Sequence, residues 1–187
     1  MRRPQAYLIC LTLIVASFSC RANDWVVDYV RSHIGFVASY DSIDFSGRFE
    51  RWRGSVKFDP AKLSDSKLHI EVDMASVDTA SRDRDVGMRS AEWFDASQFG
   101  QARYLANVFK ALGEDQFQAN AVFRIKGQDY PLQSNFTWAA STDTNRRLRG
   151  SVVVDRRTFN IGTGEWANEP IIGFKVKIVY DLHLQTK

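Results

Sequence analysis

The chain has 187 residues, with 25 Lys and Arg against 22 Asp and Glu, for a formal charge of +3. Arg2, Arg3 and Arg21 account for all of that excess and share a segment with no acidic residue, so the balance gives no support for a nucleic-acid surface. Both cysteines, Cys10 and Cys20, lie in the same segment, which leaves the rest of the chain without a disulfide, a zinc–thiolate site or a cysteine nucleophile.

Residues 1–22 read as a secretory signal. Arg2 and Arg3 give a positive start, Ala6 to Phe18 is almost uninterruptedly apolar, and small residues follow up to Ala22. The apolar run is short for a membrane span. Cys20 raises lipoprotein anchoring, but Ser17 stands where a lipoprotein signal usually has Leu, Val or Ile, and cleavage after Ala22 is favoured. The remaining segment, 23–187, of roughly 165 residues, suits one domain with a core that needs no staples.

Past the signal, apolar and polar residues alternate with period two, which puts one face of a strand in a core and the other in water. Asp24 to Val30 is the first predicted strand, led by Trp25 and Val27; Ile34, Phe36, Ala38 and Tyr40 mark the second, and Phe45, Gly47 and Phe49 the third. The apolar parity then slips by one, resuming at Trp52, Gly54, Val56 and Phe58, so a bulge or turn is expected at Glu50-Arg51. Asp59-Pro60 closes that segment. Leu68, Ile70, Val72 and Met74 make the next strand.

Alternation stops between Ser81 and Gln98, where Val86, Met88, Ala91 and Phe94 sit among charged residues, predicting a short helix or helical turns across one end of the sheet. Asp83 and Asp85 there are flanked by Arg82 and Arg84, which suits mutual neutralisation. Strands resume with Tyr104, Ala106 and Val108, and then Phe117, Ala119, Ala121, Phe123 and Ile125. Gly113-Glu114-Asp115 and Gly127-Gln128-Asp129 are expected turns. Leu132, Ser134, Phe136 and Trp138 follow, then a polar loop from Ser141 to Arg147, a strand from Leu148 to Val154, an irregular stretch from Arg156 to Pro170, and a last strand carrying Phe174, Val176, Ile178, Tyr180, Leu182 and Leu184. Such a run of strands describes an antiparallel barrel or sandwich.

Catalytic signatures are weak. His33, His69 and His183 are far apart in sequence and outside any metal-binding spacing, and there is no GxSxG elbow or phosphate loop. Neither a cofactor nor a catalytic residue is expected, so a binding protein is favoured over an enzyme.

Several patterns, in order, resemble the YceI family of secreted lipocalin-like proteins. Trp25-Val26-Val27-Asp28 with Ser32-His33-Ile34-Gly35-Phe36 is similar to its "W-x-x-D … S-x-I-x-F" opening, and Phe45-Ser46-Gly47-Arg48-Phe49 to its "G-x-F" turn. Val77-Asp78-Thr79, Arg82-Asp83 and the run Arg89 to Asp95 resemble "S-I-x-T … R-D … L-R-S-x-x-F-F-D". Ile125-Lys126-Gly127 followed by Pro131-Leu132 resembles "L-T-I-x-G … P-V", and Arg156 to Ile161 resembles "R-x-x-F-G-I". Trp93 stands where the family usually has Phe, Asn160 where it has Gly, and Tyr104 where it has Phe.

The resemblance implies an all-β fold: an extended, antiparallel eight-stranded lipocalin-like barrel, with the short helical segment at 83–95, and a tunnel that holds a polyprenyl chain, an isoprenoid quinone or a similar amphiphile. It implies a periplasmic carrier or sequestering protein whose partner is a long-chain lipid, with transient contact to a membrane or a membrane redox protein. An enzyme acting on an isoprenoid or quinone in the same barrel is the alternative. An outer-membrane barrel is disfavoured, because the chain shows no paired aromatic girdles.

The chain contains 13 Phe, one of them in the signal, and these supply broad apolar walls. Phe36, Phe45, Phe49, Phe94, Phe123, Phe136 and Phe159 are the expected ligand-binding lining. Trp52, Trp93, Trp138 and Trp166 are candidates for the mouth. Arg82, Arg84 and Arg89 are candidate head-group contacts; the other reading of that cluster is that it ties the helical segment to the sheet.

Overall fold

Period-two alternation closes into a ring of strands. The computed structural model describes residues 24–142, 144–168 and 171–187; the predicted signal, with Cys20, lies outside the described residues. The elements are β1 (Asp24–Val27), β2 (His33–Tyr40), β3 (Ile43–Phe49), β4 (Trp52–Lys57), β5 (Lys67–Asp73), β6 (Val77–Asp78), α1 (Arg82–Arg89), β7 (Gln101–Gly113), β8 (Gln116–Ile125), β9 (Gln128–Ala140), β10 (Asn145–Asp155) and β11 (Lys175–Thr186). The sheet runs β1-β4-β5-β7-β8-β9-β10-β11-β2-β3-β6, and β1 also pairs with β11, which closes it. Three staves are bent pairs: β1 with β2, β3 with β4, and β5 with β6. The result is the expected eight-stranded antiparallel barrel with one short helix.

Each bend has a local cause. The parity slip at Glu50-Arg51 is the break between β3 and β4. There Glu50 N–H donates to Ser76 O at 3.0 Å and Arg51 N–H to Ser76 Oγ at 3.0 Å, while Ser76 Oγ–H donates to Asp73 O at 2.6 Å. One buried serine thus satisfies the backbone groups that the interrupted ladder leaves open. The first predicted strand is shorter than expected, ending at Val27. Asp28 accepts from Val30 N–H at 3.1 Å and from Arg31 Nε at 2.7 Å, forming a turn, and Ser32 re-enters the ladder by accepting from His183 N–H at 2.8 Å.

A second parity slip was invisible in the sequence. Tyr104 and Ala106 face inward as predicted, but the register of β7 against β8 shifts between Ala106 and Val108. Val108 is therefore 54% exposed and Phe109 turns inward in its place. A one-residue bulge at Asn107 reverses the faces from Val108 to Ala111, where a second register shift follows. The β8–β9 turn is also displaced: Lys126 and Gly127 take positive φ (47° and 74°), and Gln128 already belongs to β9. The loop before β10 is shorter than predicted, because Asn145, Arg146 and Arg147 pair with Gln185, Leu184 and His183.

The inward faces form two packed groups. One, at the end of the barrel holding β1 and β4, is built of Trp25, Phe58, Phe117, Phe136, Trp138, Leu148 and Leu184. The other, beneath α1, contains Phe36, Met74, Met88, Trp93, Phe94, Ile125 and Phe159. The outer face carries ion pairs instead: Arg53 and Arg103 with Glu71, Arg147 with Asp181, and Arg124 with Asp129 at 2.6 Å.

Candidate functional site

Two cavities lie inside the barrel. The first, of ≈ 130 Å³, sits beneath α1 and is lined by Phe36, Phe45, Phe49, Phe94, Phe123 and Phe159 together with aliphatic residues from β2, β5, β10 and β11. The second, of ≈ 100 Å³, is lined by Phe123, Phe136, Leu68, Leu132, Val152 and Leu182 among others. Ile34, Val72, Ala102, Phe123 and Ile178 line both, so the two cavities adjoin along the barrel's interior and are together called its bore. Each volume is several times the ~10–15 Å³ that admits a single water. All seven predicted phenylalanines therefore lie on the bore's wall. Phe45, Phe49 and Phe123 are only half-buried although they face inward: they border unfilled space.

Entry is from the α1 end. An open vestibule of ≈ 340 Å³, lined by Tyr40, Phe45, Asp83, Arg84, Gly87, Met88, Trp93 and Trp166, shares Phe45, Met88 and Trp93 with the first cavity. Trp93 and Trp166 pack against each other with ring centroids 6.0 Å apart, so these two of the four predicted tryptophans do stand at the mouth. Trp138 does not; it is buried at the opposite end, 4.8 Å from Phe58. Trp52 packs against Tyr29 at 4.9 Å, away from the vestibule.

The arginine cluster divides. Arg84 borders the vestibule, lies over the Phe45 ring at 5.1 Å, and donates from Nη2 to Thr79 O at 2.9 Å. Arg89 Nη2 donates to Val77 O at 3.0 Å, and Arg82 is exposed on the first turn of α1. Arg84 and Arg89 thus tie the helix to β6 and the residues after it. Asp85 corrects the expectation of neutralisation by neighbouring arginines. Its Oδ1 accepts from Thr79 N–H at 2.8 Å and from Thr79 Oγ1 at 2.7 Å, anchoring α1 to the chain that enters it.

Arg156 is the residue whose role the sequence concealed. It is 1% exposed and lines the first cavity. Its five N–H groups all donate to carbonyls: Nε to Gly173 O at 3.2 Å, Nη1 to Ile161 O and Gly162 O at 2.9 and 2.8 Å, and Nη2 to Trp166 O and Ile172 O at 2.6 and 3.0 Å. A guanidinium has five donors in a fixed fork. Here the fork gathers the irregular segment after β10 over the mouth of the bore. Gly162 has φ +74° and sits so close that a Cβ there would run into Arg156 Nη1. The same segment is held to the turn after α1 by Gly162 N–H and Thr163 N–H donating to Glu92 O at 2.8 and 3.0 Å, and by Trp166 Nε1 donating to Glu92 Oε2 at 2.9 Å.

Deeper in the bore, three hydroxyls interrupt the apolar wall. Tyr104 Oη and Ser134 Oγ share a hydrogen bond at 2.8 Å, and Tyr180 Oη–H donates to Asn135 O at 3.2 Å. Burial pushes both tyrosines above their ordinary pKa. Gly150, facing Tyr180 across the β10–β11 ladder, is required: a Cβ there would collide with Tyr180 Oη. Histidines contribute nothing to the bore. His33 and His183 flank Asp181 on the outer face, and His69 lies 3.4 Å from Glu71. Among the described residues, no group of three or more His, Cys, Asp or Glu could hold a metal ion.

The model of the YceI-like domain matches residues 25–184. The chain belongs to the YceI-like domain family. A UPF0312 protein of Vibrio cholerae is 28% identical to this YceI-like chain over 126 residues, 66% of this chain and 67% of its own length. A UPF0312 protein of Pseudomonas savastanoi is 26% identical over 135 residues, 71% of this chain and 70% of its own. The matched stretch spans about two thirds of these relatives. Among solved structures, BcnA of Burkholderia cenocepacia superposes with a TM-score of 0.81 at 26% identity, covering 84% of this chain and 99% of BcnA. A polyisoprenoid-binding domain from Saccharophagus degradans, implicated in plant cell wall breakdown, gives a TM-score of 0.69 at 16% identity, covering 88% and 99%; at that identity it speaks for the shared YceI-like barrel alone.

Proposed function

We propose that this YceI-like protein is a non-catalytic, periplasmic binding protein that sequesters or carries a long-chain isoprenoid, a polyprenyl chain or an isoprenoid quinone, in its bore. The observation that carries the reading is the bore itself: two adjoining apolar cavities inside a closed barrel, the first sharing its lining with an open vestibule beside α1. Burial of a hydrocarbon chain there is worth roughly 25 cal/mol per Å² of apolar surface, before the cost of association is subtracted. The lining is Phe36, Phe45, Phe49, Phe94, Phe123, Phe136 and Phe159, and Arg84 is the cation of the cluster placed to meet a head group in the vestibule. A membrane or membrane redox protein would load or receive the chain at that mouth.

The ionisable groups Tyr104, Tyr180 and Arg156 that border the bore are each hydrogen-bonded within the protein, which gives no support to an enzyme in the same barrel. The charged outer face argues against a barrel immersed in lipid. The test is organic extraction of protein purified from its native periplasm, followed by mass spectrometry of the extract and of the mature N-terminus. Isoprenoid in the wild-type extract and its loss from folded Phe123→Asp are expected. An empty extract, together with failure to bind added polyprenol, overturns the reading.

A further inference from the structure

The bore is closed at its far end. Phe136, Leu148 and Leu182 line the second cavity and at the same time belong to the packed group at the β1–β4 end. Behind Phe136 the rings interlock: it stacks on Phe117 at 5.7 Å and meets Phe58 at 5.4 Å, and Phe58 in turn touches Phe109 at 5.4 Å and Trp138 at 4.8 Å. Trp25 lies edge-on to Trp138 at 5.3 Å, and the Arg146 guanidinium covers Trp25 from outside at 5.5 Å. Trp25, Phe58, Phe117, Phe136 and Trp138 are all buried. A chain entering beside α1 has no exit.

We infer that this aromatic floor, with Phe136 as its inner surface, is a ruler that sets how much of an isoprenoid chain the protein encloses. The inference rests on the isoprenoid-binding reading above and adds to it a length limit and the residue that sets it. From Ile125 near the mouth to Phe117, the register partner of Phe136 at the floor, β8 runs a distance that the rise per residue and the usual strand tilt of a barrel reduce to ~20 Å along the bore. With bonds of about 1.5 Å at tetrahedral angles, a stretched chain advances about 1.3 Å per backbone carbon, so roughly sixteen carbons, about four isoprene units, fill it. Longer chains leave their excess outside, in water, where it adds nothing to affinity.

The experiment is a set of dissociation constants for linear polyprenols increasing by one isoprene unit, measured on the wild type and two variants. In the wild type each added unit should tighten binding by at least about tenfold until the bore is filled, after which affinity levels off. Phe136→Ala should move the break to a longer chain. Val152→Phe, which adds bulk to the second cavity without touching the floor, should move it to a shorter one and keeps the test decisive if Phe136→Ala does not fold. An identical break point in folded variants, or affinity that rises without a break, overturns the ruler while leaving isoprenoid binding intact. Failure of the wild type to bind any member of the series overturns the binding reading and the ruler with it.

Discussion

The two ends of this barrel use the same side chains to opposite effect. At the β1–β4 end, Phe58 stands at the centre with Phe109, Phe117, Phe136 and Trp138 around it, and Trp25 beyond. Beneath α1, the rings of Phe36, Phe45, Phe49, Phe94 and Phe159 stay on the walls, beside the small Gly35, Ala38 and Ala102, and the centre is left unfilled. The difference is one central ring. Phe58, supplied just after β4, has four aromatic partners, whereas beneath α1 the described rings line a cavity. A phenylalanine on an inward position is thus core or wall according to what its own layer places opposite it.

That contrast can be broken most severely at its centre. Phe58→Ala removes a 1% exposed ring with four aromatic neighbours, and a loss of about 3–5 kcal/mol is expected, read as a lower midpoint in chemical denaturation. Next in size is Arg156→Lys. An ammonium has three donors where the guanidinium has five, so at least two of the gathered carbonyls lose their N–H; about 2–3 kcal/mol should go, with faster amide exchange in the segment after β10. Phe123→Ala should cost less than either, roughly 1–2 kcal/mol, because that ring already borders empty space. If Phe123→Ala proved as costly as Phe58→Ala, the two ends would not differ as described.

The sequence carried the barrel almost whole because alternation is a local signal: the inward set of β8, from Phe117 to Ile125, was readable, and so was the slip at Glu50-Arg51, where both flanking strands keep strong patterns. It did not carry the bulge at Asn107, since Val108 and Phe109 are both apolar and either could continue the pattern. The seven phenylalanines expected to face inward do line the two cavities, because large apolar residues on a strand's inner face must border whatever space the barrel leaves. Sequence could not separate Phe136, at the floor, from Phe45, at the mouth, because that distinction depends on the register between strands. Arg156 stood in a recognised motif, yet its work is done by carbonyls from residues 161–173, and backbone acceptors leave no mark on composition. For the arginines near α1, two readings were open in the sequence, and Arg84 and Arg89 follow the one in which the cluster ties the helix down, through Thr79 O and Val77 O.

The smallest expected effects separate the wet outer face from the dry interior by pH. On the outer face, Arg147 Nε donates to Asp181 Oδ1 at 2.7 Å and holds that carboxyl below its usual 3.8. The unfolded chain takes up the proton first, so the contribution is whole at neutral pH and is lost as pH falls below 3.8 through the lower folded value. Asp181→Asn should remove part of the acid limb of a stability–pH curve and leave the alkaline limb unchanged. Inside the bore the sign is reversed. Burial raises the pKa of Tyr104 and Tyr180 above 10, so the unfolded chain ionises first and stability, intact below pH 10, declines as pH rises beyond it. Phenolate absorbance should show these two tyrosines still protonated in the folded protein at a pH where the unfolded chain has already ionised, and Tyr104→Phe should remove one late-titrating group for about 1 kcal/mol of lost hydrogen bonding to Ser134. Ionisation of Tyr104 near 10 in the folded protein would mean that water reaches the hydroxyls of the second cavity, and the deep half of the bore would then be no place for a hydrocarbon chain.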